Sequence, residues 1–358
     1  MTAIIFIAVL AVLILAHECG HFIAAKKKGL LVEEFGIGFP PRIFGVKKGE
    51  TLYSLNLLPL GGFVKILGED GGETENPRSF ASKSAGTRGL ITVSGVVMNF
   101  LLAIVLLIIG FFVGLPQAID QSNAAYANNT EIQILDIAAG SPAAKAGIQV
   151  GDAIEYLKIG GKNISIKEVS ALQNAVSADN GKELIIGVKR GNSFFETKTT
   201  PRINPPEGEG ALGIAIVKTG IIRYPWYKNF WLGTKSAFAI AREVIIGFFD
   251  LLKNLFATGR IPSGIAGPVG IAALTGKAAS LGFIYLLQLV AVISINLAVL
   301  NLVPFPALDG GRLFFLGVEK IKGSKVNPKI ENTVNSAGMI LLLILIALIT
   351  YRDILRLK

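Results

Sequence analysis

Four apolar stretches of membrane length punctuate the chain, and the segments between them carry quite different patterns. The first covers about residues 3–25, close to the roughly 20 residues needed to cross the hydrocarbon of a bilayer. The second runs over about 90–115, with Gly95 and Asn99 in its first half, and the third over about 281–303, with Asn296 inside it. A fourth, at about 337–351, is short; it begins nearer Val334 or crosses with little tilt. Between the first two, residues 29–68 alternate apolar runs with turns: Phe35-Gly36-Ile37-Gly38-Phe39-Pro40-Pro41, Thr51-Leu52-Tyr53-Ser54-Leu55-Asn56-Leu57 and Gly61-Gly62-Phe63-Val64-Lys65-Ile66-Leu67. Period-two patterning with glycine and proline predicts short strands. They are apolar enough to dip into the membrane beside the first span, with backbone groups paired to protein or water. A small surface hairpin is the alternative.

The long segment between the second and third stretches is less apolar and divides in two. Residues 129–203 predict a soluble α+β module: strand-like runs at 131–135, 153–157, 183–188 and 194–197 surround one helical stretch near 166–178. Residues 204–279 begin as a linker, Pro205-Pro206-Glu207-Gly208-Glu209-Gly210, and pass through the aromatic cluster Tyr224-Pro225-Trp226-Tyr227, Phe230-Trp231. Aromatics of this kind sit at membrane interfaces, and the stretch from about 228 to 257 predicts an amphipathic helix lying on the bilayer. The run Gly264-Ile265-Ala266-Gly267-Pro268-Val269-Gly270 then breaks it. The resulting division is 1–128 (two spans and the hairpin), 129–203, 204–279 and 280–358 (two spans).

Composition agrees with the patterning. The chain is 51% hydrophobic and 17% charged, too apolar for a soluble domain of this size, so it is expected to be an integral membrane protein. Its net charge of +10 accompanies no nucleic-acid-binding motif, and membrane topology explains the charge better than a nucleic-acid partner does. The start, Met1-Thr2-Ala3, lacks the basic region of a signal peptide. Lys26-Lys27-Lys28 after the first span predicts an amino terminus outside and lysines in the cytoplasm, and Lys320, Lys322, Lys325 and Lys329 mark a second cytoplasmic loop. Arg352, Arg356 and Lys358 then fall on the outside, against the rule, and snorkelling of a short tail accommodates them. The single cysteine excludes an intrachain disulfide.

The candidate chemistry lies inside the first span. His17 and His21, the only two histidines, are i and i+4, so both imidazoles leave one face of a helix at a spacing suited to one Zn²⁺. Glu18 beside them completes the HExxH arrangement, in which the carboxylate takes a proton from a water activated by the metal. Three ionisable groups facing lipid would cost roughly 2.5–3.5 kcal/mol each, so they are expected to face protein, metal or water. Cys19 points about 200° away from His17 and reads as a packing residue. Asn99 reads as a hydrogen bond between helices. A catalytic zinc usually has three protein ligands, and the candidate for the third is Asp309. It follows the third span in Asn301-Leu302-Val303-Pro304-Phe305-Pro306-Ala307-Leu308-Asp309-Gly310, where two prolines break the helix at membrane depth. The other reading of Asp309 is a helix N-cap.

Two resemblances follow from these residues. The run from Gly140-Ser141-Pro142 to Val150-Gly151-Asp152 resembles the signature of bacterial PDZ domains, which bind extended peptide ends by strand addition. The transmembrane HExxH, the PDZ-like insert and the downstream Asn-x-x-Pro-x-Pro-x-Leu-Asp-Gly together resemble the site-2 protease family of intramembrane zinc metalloproteases, over almost the whole chain. That resemblance implies an α-helical membrane protein with about four transmembrane helices, a membrane-associated β-hairpin element and an inserted PDZ-like α+β domain. It implies zinc held by His17, His21 and Asp309, with Glu18 as the base. Asn296 and Asn301 would hold the substrate backbone, and the hairpin around Gly61, Gly62, Phe63 and Val64 would present an edge to an unwound substrate. The implied reaction is hydrolysis of a peptide bond within a transmembrane segment already shortened by another protease, in the bacterial cytoplasmic membrane, with the PDZ-like domain outside selecting or excluding peptide ends and ectodomains. Anti-σ factors and remnant signal peptides are the implied substrate classes. Two other readings are a membrane zinc protease cutting exposed loops of misfolded membrane proteins, and a non-catalytic PDZ membrane adaptor with a structural zinc. The depth of His17 and Asp309 disfavours the first, and Glu18 disfavours the second.

Overall fold

The computed structural model describes residues 1–191, 193–258 and 266–357. In chain order its elements are helix α1 (Thr2–Lys27), strands β1 (Val32–Lys48) and β2 (Thr51–Ile66), helix α2 (Ala85–Val113), strands β3 (Leu115–Ala118) and β4 (Ala127–Ile137), and the single turn α3 (Pro142–Lys145). Strands β5 (Ala153–Ile159) and β6 (Lys162–Ser165), helix α4 (Val169–Ala178), and strands β7 (Leu184–Arg190), β8 (Ser193–Thr199) and β9 (Ile214–Ile222) follow. Helices α5 (Trp226–Thr258), α6 (Pro268–Leu281), α7 (Phe283–Leu302), α8 (Asp309–Lys322) and α9 (Pro328–Leu357) complete the chain. The chain divides into two compact units, one of Met1–Ile108, Trp231–Ala279 and Leu287–Lys358, the other of Ile109–Phe230 with Ser280–Leu286.

Helices α1, α2, α7 and α9 are long and apolar enough to cross a membrane. Their outward residues, such as Val12, Leu101, Val105, Leu343 and Leu348, are exposed and apolar, which requires lipid as the solvent. The chain is a multi-pass membrane protein. The expected fourth span was too short: α9 runs 30 residues from Pro328, because the polar residues of its first three turns suit a helix outside the hydrocarbon as well as any loop. Helix α2 likewise starts at Ala85, about five residues ahead of the apolar run. Helix α7 stops at Leu302 because Pro304 disfavours helical backbone in the residue before it, and α8 ends on Gly323 in the left-handed conformation, φ 76°.

Residues 29–68 form two long strands instead of several short ones. They make one irregular ribbon in which residues 62–65 pair on one side of residues 34–37 and residues 52–55 on the other, while residues 42–48 fold back along 51–56. Phe35, Val64 and Ile66 pack against Ala24 and Ala25 of α1 and Ile91 of α2, with Cys19 alongside. This apolar cluster fixes the Gly62-Phe63-Val64 segment against the middle of α1. At the far end of the ribbon Phe39, Ile43, Phe44 and Leu57 are exposed.

The second unit is built on a seven-stranded sheet of order β3-β9-β4-β5-β7-β8, with β6 on β5. Leu172 and Val176 of α4 close a core of Ile132, Ile134, Ile154, Leu157, Ile186 and Val188. In the turn-rich run Ser141 Oγ accepts from the Ala144 N–H to cap α3. The buried Asp152 carboxylate accepts from the Gln149 N–H at 2.8 Å and from Arg190 at 2.7 and 2.8 Å, so the only buried charge of the run is fully paired. The division at residue 204 requires correction. Strand β9 lies within the stretch expected to be linker, and it pairs with β4 along Ile214–Ile222 and with β3 at its end. Its nearly unbroken apolar run carries little period-two signal, and the Pro/Gly-rich segment before it masks it. The stretch expected to lie on the membrane is helical throughout 226–258, and α6 is an additional helix. Gly264 and Ile265 of the expected break lie outside the described residues.

Candidate metal centre

Three side-chain atoms from two distant parts of the chain converge in the membrane unit. His17 Nε2 lies 3.1 Å from Asp309 Oδ2, His21 Nε2 lies 3.5 Å from the same oxygen, and the two Nε2 atoms are 3.2 Å apart. Ligands arranged tetrahedrally at zinc bond lengths stand about 3.3 Å from one another, so the three spacings fit that ion. Asp309 Oδ2 is buried without a hydrogen-bond partner, as a carboxylate oxygen reserved for a metal would be. Among the described residues this is the one cluster of His, Cys, Asp or Glu able to hold a metal.

The break after α7 delivers Asp309. Pro304 and Pro306 prevent the helix from continuing, and Ala307 turns the chain with a left-handed φ of 75°. Its N–H is held by Asn335 Oδ1 of α9 at 3.3 Å. Leu308 occupies the N-cap position and Asp309 the first helical position of α8, so the N-cap reading of Asp309 does not hold. A carboxylate there is favoured by the helix dipole. The two glycines after it have a steric reason: a Cβ on Gly310 would lie 2.0 Å from the Val303 carbonyl oxygen, and one on Gly311 2.4 Å from that of Phe305.

Helix α2 backs the two histidines. His21 Nδ1 lies 2.9 Å from the Ile91 carbonyl oxygen, an acceptor that places the proton on Nδ1 and leaves the Nε2 lone pair free. Asn99 stands 3.5 Å from His17 Nδ1. Between them is Gly95, where a Cβ would fall 2.4 Å from His21 Nε2 and 2.7 Å from His17 Cε1. The helices touch backbone to backbone at this level, since a Cβ on Gly20 would meet the Ser94 carbonyl oxygen at 2.2 Å. Small residues permit this approach in a membrane.

Glu18 faces the same cavity of about 210 Å³ as His17, His21 and Asp309. That volume admits several waters, and the polar groups needed to hold them are present. Gly62, Phe63 and Val64 of β2 form one wall, while Glu69 and Arg312 form another. Arg312 donates to the Glu69 carboxylate, and Arg88 donates to Glu319 to tie α2 to α8. The remaining candidates stand apart from the cavity lining. Gly61 lies under the Phe39 ring, Asn296 donates to the Val292 carbonyl of its own helix at 2.9 Å, and Asn301 does not line the cavity.

Sequence reasoning missed Gly95, Arg312, Glu69 and Asn335 and gave Asn99 no part in the site. A signal existed for two of them. Gly95 and Asn99 are i and i+4 on one face of an apolar span, and two metal-ligating histidines require two partners for their outer nitrogens.

The family model of peptidase family M50 matches residues 5–345 of the chain. A Clostridium perfringens protein assigned by name as a zinc metalloprotease is 38% identical over 96% of this chain and 95% of its own length. The zinc metalloprotease RasP of Oceanobacillus iheyensis is 30% identical over 99% of both chains. The regulator of sigma-W protease RasP of Bacillus subtilis is 28% identical, again over 99% of both. Fold and comparisons therefore agree on a membrane-embedded zinc metalloprotease. The chain belongs to peptidase family M50, the site-2 proteases.

Proposed function

We propose that the protein hydrolyses a peptide bond inside a transmembrane segment of a membrane protein already shortened by another protease. The observation that carries this reading is the place of the cavity. His17 and His21 lie within an uninterrupted apolar helix of 26 residues, about 21 Å along the span counted from residue 3 at the helical rise, so the reacting bond must enter the membrane region. His17, His21 and Asp309 hold the zinc, which when bound supplies Lewis acidity and lowers the pKa of water towards neutrality. Glu18 takes the proton of the attacking water, a step that needs its carboxylate ionised, and in its protonated form returns that proton to the leaving amine. A helical substrate keeps its carbonyls inside its own hydrogen bonds and must unwind before it can react. Residues 62–66 of β2 pair with β1 along one edge and line the cavity with Gly62, Phe63 and Val64. The free edge is suited to adding the unwound substrate as a strand. The apolar tip of the ribbon supports its insertion into the bilayer.

The Bacillus subtilis relative's name links it to regulation of sigma-W, which favours anti-σ factors as substrates here, with remnant signal peptides as the second class. The sheet module from β4 to β9 acts as a PDZ-like domain on the outer face of the bacterial cytoplasmic membrane, where it selects or excludes peptide ends and ectodomains. Mass spectrometry of fragments released from a truncated single-span substrate by purified protein in vesicles is expected to locate the cut within the apolar segment. A cut confined to flanking loops would replace this reading by the loop-cutting one. For the topology, single cysteines at Ser177 and Ser324 in a Cys19→Ala background are expected to react differently with an impermeant reagent in intact cells, Ser177 strongly and Ser324 weakly. Equal labelling would overturn it.

A further inference from the structure

The two candidate zinc-ligating histidines have different partners at their outer nitrogens, and only one of these partners is obviously correct. When Nε2 of a neutral imidazole binds a metal, Nδ1 carries the proton and needs an acceptor. For His21 the acceptor is a backbone carbonyl. For His17 the group in reach is the Asn99 side chain, placed with its NH₂ nitrogen 3.5 Å from Nδ1. Two donors then face each other. The amide oxygen, Oδ1, is meanwhile buried with no partner, in a residue that is 1% exposed. Turning the amide by 180° exchanges two groups of nearly the same size. It brings Oδ1 to the Nδ1 proton and gives the orphaned oxygen its hydrogen bond.

We propose that Asn99 is the positioning residue of His17, accepting the Nδ1 proton through Oδ1 and so presenting the Nε2 lone pair to zinc. The proposal rests on the assignment of His17 as a ligand. Helix α7 holds the backbone that carries this amide, since the buried Ser294 hydroxyl donates to the Asn99 carbonyl at 2.8 Å. Asn99 therefore sits where α1, α2 and α7 meet, and Gly95 one turn earlier leaves the space in which both imidazoles lie. Positioning partners of this kind typically contribute about ten- to hundredfold to metal affinity.

The test measures zinc affinity by chelator competition on the full-length protein in detergent, with Asn99→Leu and Asn99→Asp beside the wild type. Leucine keeps the volume and removes the acceptor, and its zinc dissociation constant is expected to rise about ten- to hundredfold. Aspartate keeps an acceptor oxygen and has no donor, and it is expected to bind within a few-fold of the wild type. Wild-type affinity in Asn99→Leu would overturn the proposal, and so would a loss in Asn99→Asp equal to that in Asn99→Leu, because the NH₂ group or the packing would then be what matters. If Asn99→Leu does not accumulate in membranes, Asn99→Asp decides alone, with retained affinity in support and a tenfold or larger loss against. A wild type that bound no zinc would instead remove the ligand assignment on which the proposal stands.

Discussion

Glu18→Gln is expected to abolish peptide-bond hydrolysis while zinc remains at its wild-type stoichiometry. Glutamine has the shape of glutamate and fills the same place in the cavity beside His17, His21 and Asp309, but a neutral amide accepts no proton from water. General-base catalysis accounts for a factor of about 10²–10⁴, and turnover is expected to fall by at least that factor. The carboxylate of Glu18 is not one of the three converging ligand atoms, so metal content has no reason to fall. Zinc content and turnover are to be measured on one preparation. Appreciable turnover with full zinc would remove Glu18 as the base, whereas loss of zinc together with activity would recast it as a ligand.

Asp309→Ala is expected to act at the other point of the site, lowering zinc affinity by more than about hundredfold, since a ligand is worth more than the groups that orient it. Two histidines fall short of the three protein ligands that catalytic zinc usually has, and activity is expected to fall with occupancy. Gly310→Ala makes the same point without touching the carboxylate. Its new Cβ would stand 2.0 Å from the Val303 carbonyl oxygen, and backbone cannot yield to that contact without moving the first turn of α8 and Asp309 with it. Zinc titrations of both variants decide the matter. Wild-type affinity in Asp309→Ala would demote Asp309 to a structural residue. Wild-type affinity in Gly310→Ala alone would show that the loop tolerates more displacement than its packing suggests.

The ion pairs around the cavity show how a membrane protein keeps charge near its chemistry. Arg312 lies three residues after Asp309 and pairs with Glu69, which comes from the loop after β2. Arg88 at the start of α2 and Glu319 of α8 are both largely shielded from solvent. A partly buried pair of this kind contributes little net stability but fixes which helices are neighbours, since either charge left alone is costly.

The sequence by itself determined the four membrane spans, the two histidines and glutamate on one helical face, and the break that would free Asp309. These are local properties: apolar runs, a spacing of four on a helix, and two prolines that cannot continue one. The strands of residues 131–135 and 153–157 were legible for the same reason, and β9 was not, because an apolar strand behind a Pro/Gly-rich segment carries no period of its own. Tertiary structure alone decided that Asp309 meets His17 and His21, nearly 290 residues apart in the chain, and that a 3.1–3.5 Å triangle results. It also decided that Gly95 is the space those imidazoles occupy and that Asn99, which reads locally as an ordinary polar residue in a membrane helix, lies against His17. Such roles depend on which helices cross and at what height. Crossing is set by contacts between surfaces far apart in sequence, which hydrophobic periodicity along one segment cannot encode.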